Sequence, residues 1–200
     1  MVLTSTVLAQ NAATIGTQAD FTLASGVGGS LACFAAGSAT LQDCTVSANT
    51  AEYAGAGLSL DSCRAVVNGT IITRNNATWH PDVDGSVSVS RLIGGGGLVV
   101  RHFSHDRSLG ATVSISHTTF ADNYAVQGGG VATIADPVVC KSTPNDCQTT
   151  TSPPSVMVTM GKGIAWKRNL AIRHGNHLYV ASPRAVVVGA WRCLRVALWC

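Results

Sequence analysis

Hydrophobic and polar positions in this chain alternate over short stretches. Thr112-Val-Ser-Ile-Ser-His-Thr-Thr-Phe120 is the clearest case, and Val66-Val-Asn-Gly-Thr-Ile-Ile-Thr73 and Ser155-Val-Met-Val-Thr159 follow the same rule. A period of two places successive side chains on opposite faces of a strand, so each stretch is read as a short strand with one buried face.

The strands sit inside a repeat. Five strings share the form Asn-x-Ala: Asn11-Ala12-Ala13, Asn49-Thr50-Ala51, Asn75-Asn76-Ala77, Asn123-Tyr124-Ala125 and Asn169-Leu170-Ala171. Each is followed by glycine and a further apolar strand. Gly55-Ala-Gly57-Leu-Ser-Leu60 follows Asn49, Gly128-Gly129-Gly130-Val-Ala-Thr-Ile134 follows Asn123, and Gly175-Asn-His-Leu-Tyr-Val180 follows Asn169. After Asn11 and Asn75 the glycines (26–29 and 94–97) arrive only beyond an insertion. Extra length at one point of a repeat suits a solenoid with loops on one edge.

The fold expected is therefore all-β: a right-handed parallel β-helix of about five turns, a fragment of a longer solenoid. Its repeats span residues 1–182, with insertion loops near 14–25, 78–93 and 136–154, and residues 183–200 form an irregular tail without repeat signature. Coils about 4.8 Å apart stack like residues over like. Asn at a bend tolerates the left-handed backbone region, and stacked Asn amides can hydrogen-bond in a ladder. Glycine fits where φ is positive or the next coil lies close, and Ala suits a crowded interior corner. A β-sandwich with glycine-rich turns explains the alternation but not one Asn-x-Ala…Gly order occurring five times.

Composition agrees with this architecture. Of the 200 residues, 21 are glycine and only 12% are charged, about half the share of an ordinary soluble domain. The net charge of +3 is unevenly spread: residues 1–140 carry 5 basic and 9 acidic side chains, residues 141–200 carry 8 and 1. These basic residues form no run and accompany no nucleic-acid-binding motif, so no nucleic-acid partner is expected.

Seven cysteines show no Cys-x-x-Cys spacing, which argues against a zinc ribbon or a thioredoxin-like motif. Cys140 and Cys147 bracket a polar, proline-containing stretch and are the expected disulfide; the odd total leaves at least one thiol unpaired. Asn68-Gly-Thr70 and Asn76-Ala-Thr78 are N-glycosylation sequons, compatible with a secreted protein. The start lacks a basic, then apolar, leader, and no apolar run of about 18 residues is present. The sequence is expected to lie within a longer protein.

Phe120-Ala-Asp-Asn123 followed by Gly128-Gly-Gly-Val131 resembles the repeats of chlamydial polymorphic outer-membrane proteins, which pair a Phe-x-x-Asn motif with a Gly-Gly-Ala-Ile-like motif. The Asn49 and Asn75 repeats match more loosely, with Val46 or Ile72 in the aromatic position and Ala165 near Asn169. The resemblance covers residues 5 to about 180. It implies a right-handed, pectin-lyase-like β-helix with a surface role. That fold hosts both enzymes and adhesins, so function has to be argued from sites.

Little in the chain suggests chemistry. The Asn-Thr-Asp, Asp-Asp and Gly-His-Gly motifs of polygalacturonases are absent, Arg173-His174-Gly175 being the nearest echo. Asp82 and Asp84, with Ser86, are weak candidates for calcium, but without a closing glutamate they read better as turn formers. Ser104-His105-Asp106 has triad residue types, yet consecutive residues do not form a relay. His174 and His177 could face a metal or simply lie exposed at a turn. Gly94–Gly97 lacks the Lys-Ser/Thr of a phosphate loop. No catalytic residue and no cofactor is therefore assigned. The function expected is a non-enzymatic extracellular or cell-surface module for adhesion, structure, or binding of glycans or surface proteins. The alternative is a polysaccharide lyase or hydrolase whose groove lies partly outside this chain.

Overall fold

The computed structural model describes residues 1–14, 29–34, 37–52, 54–78, 94–102, 110–135, 138–140, 147–149, 156–180 and 185–189; of 134–135, 138–140, 147–149, 173–174 and 185–189 it describes the backbone. Every regular element among the described residues is a strand. Val2–Thr4, Ser38–Gln42, Arg64–Asn68, Ala111–Ser116, Val156–Met160 and Ala185–Gly189 form a first sheet, paired in that order. Val7–Ala9, Thr45–Ser47, Ile71–Thr73, Thr119–Ala121 and Ala165–Lys167 form a second. Ala12–Ala13, Thr50–Ala51, Asn76–Ala77, Tyr124–Gln127 and Leu170–His174 form a third, and Leu31–Phe34, Leu58–Asp61, Leu98–His102, Val131–Ala135 and Leu178–Val180 a fourth.

All pairings within these four sheets are parallel. The chain visits the sheets in order and returns to the first one level higher, so the molecule is a parallel β-helix. Coils one to five start at Val2, Ser38, Arg64, Ala111 and Val156, and Ala185–Gly189 opens a sixth level on the first sheet. The tail read as irregular thus begins with a strand in register with Val156–Met160. The segments expected as insertions near 14–25 and 78–93 fall between third- and fourth-sheet strands; that near 136–154 follows the fourth sheet. Most of their residues lie outside the described ones, although Val138–Cys140 and Cys147–Thr149 pair antiparallel.

Alternation explains the interior. Leu41, Val67, Val113, Ile115 and Val158 of the first sheet pack with Val46, Ile72 and Phe120 of the second and Leu58, Leu60, Leu98, Val100 and Val131 of the fourth. Ala51, Ala77 and Ala125 form a small separate cluster with Ala56, with Ala13 against it. The small residue two places after each Asn therefore fills a corner too tight for a larger side chain. In the second sheet, register sets Phe120 opposite Trp166, and their rings stack with centroids 4.9 Å apart. This corrects the sequence alignment: the aromatic position of the last repeat holds Trp166, three residues before Asn169, and not Ala165.

The corners also correct one expectation. Between the second and third sheets the positive φ belongs to Gln10, Ala48, Arg74, Asp122 and Arg168, each the residue before the repeat Asn, at 48° to 60°. The Asn residues stay outside the left-handed region, because their amides are committed along the stack. A non-glycine residue held there costs of order 1 kcal/mol, which the repeated hydrogen bonds offset.

Glycine is required most strongly where coils meet edge to edge. A Cβ on Gly57, Gly97 or Gly130 would lie within 2.6 Å of the carbonyl oxygen of Gly97, Gly130 or His177 in the next coil. Gly130→Ala should lower stability by about 1–3 kcal/mol through overpacking, since its methyl also meets the Trp166 ring. Gly161→Ala, at a position with ordinary φ and looser neighbours, should stay within about 0.5 kcal/mol of wild type. Denaturant unfolding of the two variants checks the contrast.

Candidate functional site

The repeat Asn residues form one continuous hydrogen-bonded column. Nδ2 of Asn11, Asn49, Asn75 and Asn123 donates to Oδ1 of the Asn one coil on, at 3.0, 2.8, 2.9 and 2.9 Å. The backbone N–H of each donates to the same oxygen at 3.0–3.1 Å. The second Nδ2 hydrogen reaches back to a carbonyl of the previous coil: Asn49 to Leu8, Asn75 to Val46, Asn123 to Ile72 and Asn169 to Phe120. Asn49, Asn75 and Asn123 are fully buried, and their amides use their full complement of two donors and two acceptor sites.

A second column stands five residues earlier. The Thr6, Thr70 and Thr118 hydroxyls donate to the carbonyl two residues back, at 3.0, 3.1 and 2.7 Å. The Cys44 thiol does the same toward Gln42 and is the free, buried cysteine among the described residues. This column was readable in the sequence, since Thr or Cys recurs at a fixed distance before four of the five Asn residues.

The sheets differ in what they offer outward. On the fourth sheet even Ser59, Val99 and Ala132, which alternate with core residues, are buried. On the first and second sheets the outward residues are open: Val66, Ile71 and Met157 are 44%, 47% and 42% exposed. They share those faces with Thr40, Thr112, Ser114, Thr159, Thr45 and Thr119, stacked in register. These three exposed aliphatic side chains stand among stacked hydroxyls on the outer faces of the two sheets.

A buried polar cluster, missed in the sequence, closes the corner from the fourth sheet to the first. Arg101 Nε lies 3.3 Å from Asp61 Oδ2, and both are buried. Burial pulls the Arg101 pKa down while the Asp61 carboxylate opposes that shift. Ser62 Oγ donates to Asp61 Oδ1 at 3.0 Å and lies 3.0 Å from His102 Nδ1. Serine, histidine and aspartate meet here, with the Ser62 hydroxyl between the Asp61 carboxylate and the His102 imidazole. Ser62 and His102 are each 2% exposed, so the cluster is packed into the corner. Alongside it, Cys33 and Cys63 form a disulfide, Cα atoms 6.2 Å apart, which ties coil one to the exit of coil two.

The sequence candidates fall elsewhere. Asp82, Asp84, Ser86 and Ser104-His105-Asp106 lie outside the described residues. The backbone sets Cys140 opposite Cys147 in an antiparallel pair, while their side chains lie outside what is described. His177 stacks on Trp166 with centroids 5.8 Å apart. Asn68 donates through Nδ2 to Gln42 at 2.9 Å and accepts from Ser116 at 2.8 Å; Asn76, in the third sheet, is half-buried. Asp122 meets Arg168 in a two-point pair at 2.6 and 2.8 Å on the surface. Among the described residues no three His, Cys, Asp or Glu side chains converge as a metal site, and no helix is long and apolar enough to cross a membrane.

No family model matches the chain, and no curated protein or solved structure does.

Three outcomes follow from these contacts. Asn75→Ala strips Asn49 of its acceptor and Asn123 and Val46 of a donor, so it should cost at least about 3 kcal/mol. Asn11→Ala at the exposed end should cost about 1 kcal/mol; chemical denaturation measures both. The hydrogen bond from Arg168, then its charge and that of Arg74, hold the Asp122 carboxyl below the usual range. A carboxylate with a depressed folded pKa contributes stability above its unfolded pKa and loses it as pH falls through the folded value. Arg168→Met should therefore move the Asp122 midpoint upward in an NMR titration.

Proposed function

We propose that the chain is a non-enzymatic module of an extracellular or cell-surface protein, which contacts glycans or other surface proteins through the outer faces of its first and second sheets. The observation that carries this reading is the open array of Val66, Ile71 and Met157 among Thr and Ser columns, held flat by coils whose buried amides are locked together. Aliphatic patches interleaved with hydroxyls suit the apolar faces and hydroxyl edges of sugars, and equally the mixed surface of a partner protein. The Cys33–Cys63 disulfide supports an oxidising, extracytoplasmic setting, as do the sequons at Asn68 and Asn76. The Phe120-x-x-Asn123 and Trp166-x-x-Asn169 strings with their glycines support kinship with pectin-lyase-like solenoids of the polymorphic outer-membrane type.

Purified protein should be retained on an array of glycans or on intact cell surfaces. Val66→Glu with Met157→Glu should reduce that retention at least about tenfold, equivalent to about 1.4 kcal/mol, while the circular dichroism stays unchanged. Pectin-type polymers, with and without calcium, should remain intact. Measurable cleavage, or retention indifferent to the paired substitution, contradicts the reading.

A further inference from the structure

We propose that Asn68–Gly69 is a deamidation site that the stacking of coils two to four holds closed, so that the chain modifies itself there when those coils part. It is the one Asn-Gly pair in the sequence. Glycine lacks a Cβ, so its nitrogen reaches the carboxamide of a preceding Asn without obstruction. The Gly69 nitrogen, having lost its proton, attacks Asn68 Cγ. The N–Cγ bond forms, the Cγ–Nδ2 bond breaks, and ammonia leaves with a proton taken from water. Water then opens the cyclic imide at either carbonyl, giving aspartate or isoaspartate.

The folded corner restrains both partners of that reaction. The Gly69 N–H donates to the Ser116 carbonyl at 3.2 Å. The Asn68 carbonyl accepts from the Asp43 N–H at 2.9 Å and from the Thr70 hydroxyl at 3.1 Å. The Asn68 side chain is held on both sides. Its Nδ2 donates to Gln42 Oε1 at 2.9 Å, and Gln42 Nε2 donates in turn to Asp43 Oδ2 at 2.9 Å. Its Oδ1 accepts from Ser116 Oγ at 2.8 Å, and His117 Nδ1 lies 3.2 Å from the same oxygen. To swing onto the Gly69 nitrogen, the carboxamide has to leave Gln42 in coil two and Ser116 in coil four. Asn68 is only half-buried, so closure rests on these bonds and not on exclusion of water.

The labile pair is also the one this corner needs. Ser5, Asp43 and His117 hold the same left-handed position in other coils, at φ of 47° to 52°, so the conformation alone does not demand glycine. A Cβ at Gly69 would press on Asp43 Oδ1 and lie 3.1 Å from its Cγ, displacing the carboxylate that anchors Gln42. The modification runs one way. Aspartate at this position lacks the donor to Gln42, and isoaspartate adds a carbon to the backbone where Asn68 pairs in register with Gln42 and Ser116. A chain carrying isoaspartate therefore does not restack here.

The test is peptide mapping by mass spectrometry of unglycosylated protein from a bacterial periplasm, incubated at mildly alkaline pH. Asn68 in native protein should convert at least about tenfold more slowly than in the same chain held in guanidinium chloride, because conversion waits on local opening. Ser116→Ala with unchanged circular dichroism should speed native conversion about threefold, the effect of a single hydrogen bond. After dilution from denaturant, isoaspartate at position 68 should be confined to chains that do not regain native dichroism. Native protein that converts at the denatured rate would overturn the proposal. So would a folded Ser116→Ala variant that converts at the wild-type rate, or isoaspartate found in the refolded fraction.

Discussion

A primary amide buried away from water must find partners for two N–H groups and two acceptor sites, or cost about 1–3 kcal/mol for each one left empty. Asn49, Asn75 and Asn123 meet that demand with bonds that cross from coil to coil. The partners exist only when neighbouring coils are in register, so a slip of one residue would orphan the whole column at once. The ladder thereby converts a local requirement into a constraint on the entire solenoid. The corners, the glycine contacts and the alternation of the four sheets all follow from holding that register.

The same constraint sorts inside from outside. Register stacks apolar residues into a continuous core and leaves the alternate positions of the first and second sheets as columns facing solvent. At the corner leaving the fourth sheet, the Asp61–Arg101 pair brings charge into a buried position. Such a pair is retained at a desolvation cost and offers little net stability against an apolar replacement, although removing one partner alone is damaging. Its worth here lies in fixing a corner that no repeat Asn occupies.

Much of this was legible in the sequence because a solenoid writes its structure as a period. Five Asn-x-Ala strings and their glycines gave the coils, and alternation gave the buried faces. What stayed hidden had no periodic signal. Cys33 and Cys63 belong to different strand positions, so spacing pointed to Cys140 and Cys147, whose polar bracket is a local feature. Asp61, Ser62, Arg101 and His102 meet through pairing of two strands 40 residues apart, and no motif marks them. The aromatic position of the last repeat is Trp166 and not Ala165, because that position stands three residues before the repeat Asn. The left-handed residues were read as Asn because Asn tolerates that region, whereas demand for its amide along the stack moves the bend one residue earlier.

The most direct test of this account is the exchange rate of the side-chain amide protons of Asn49, Asn75 and Asn123, followed by nitrogen-edited NMR. Amides locked between coils should exchange at least about a hundredfold more slowly than a free carboxamide, because exchange then requires coils to separate. Exchange at the free rate would mean that the column does not exist, and the register of the solenoid would lose its physical basis.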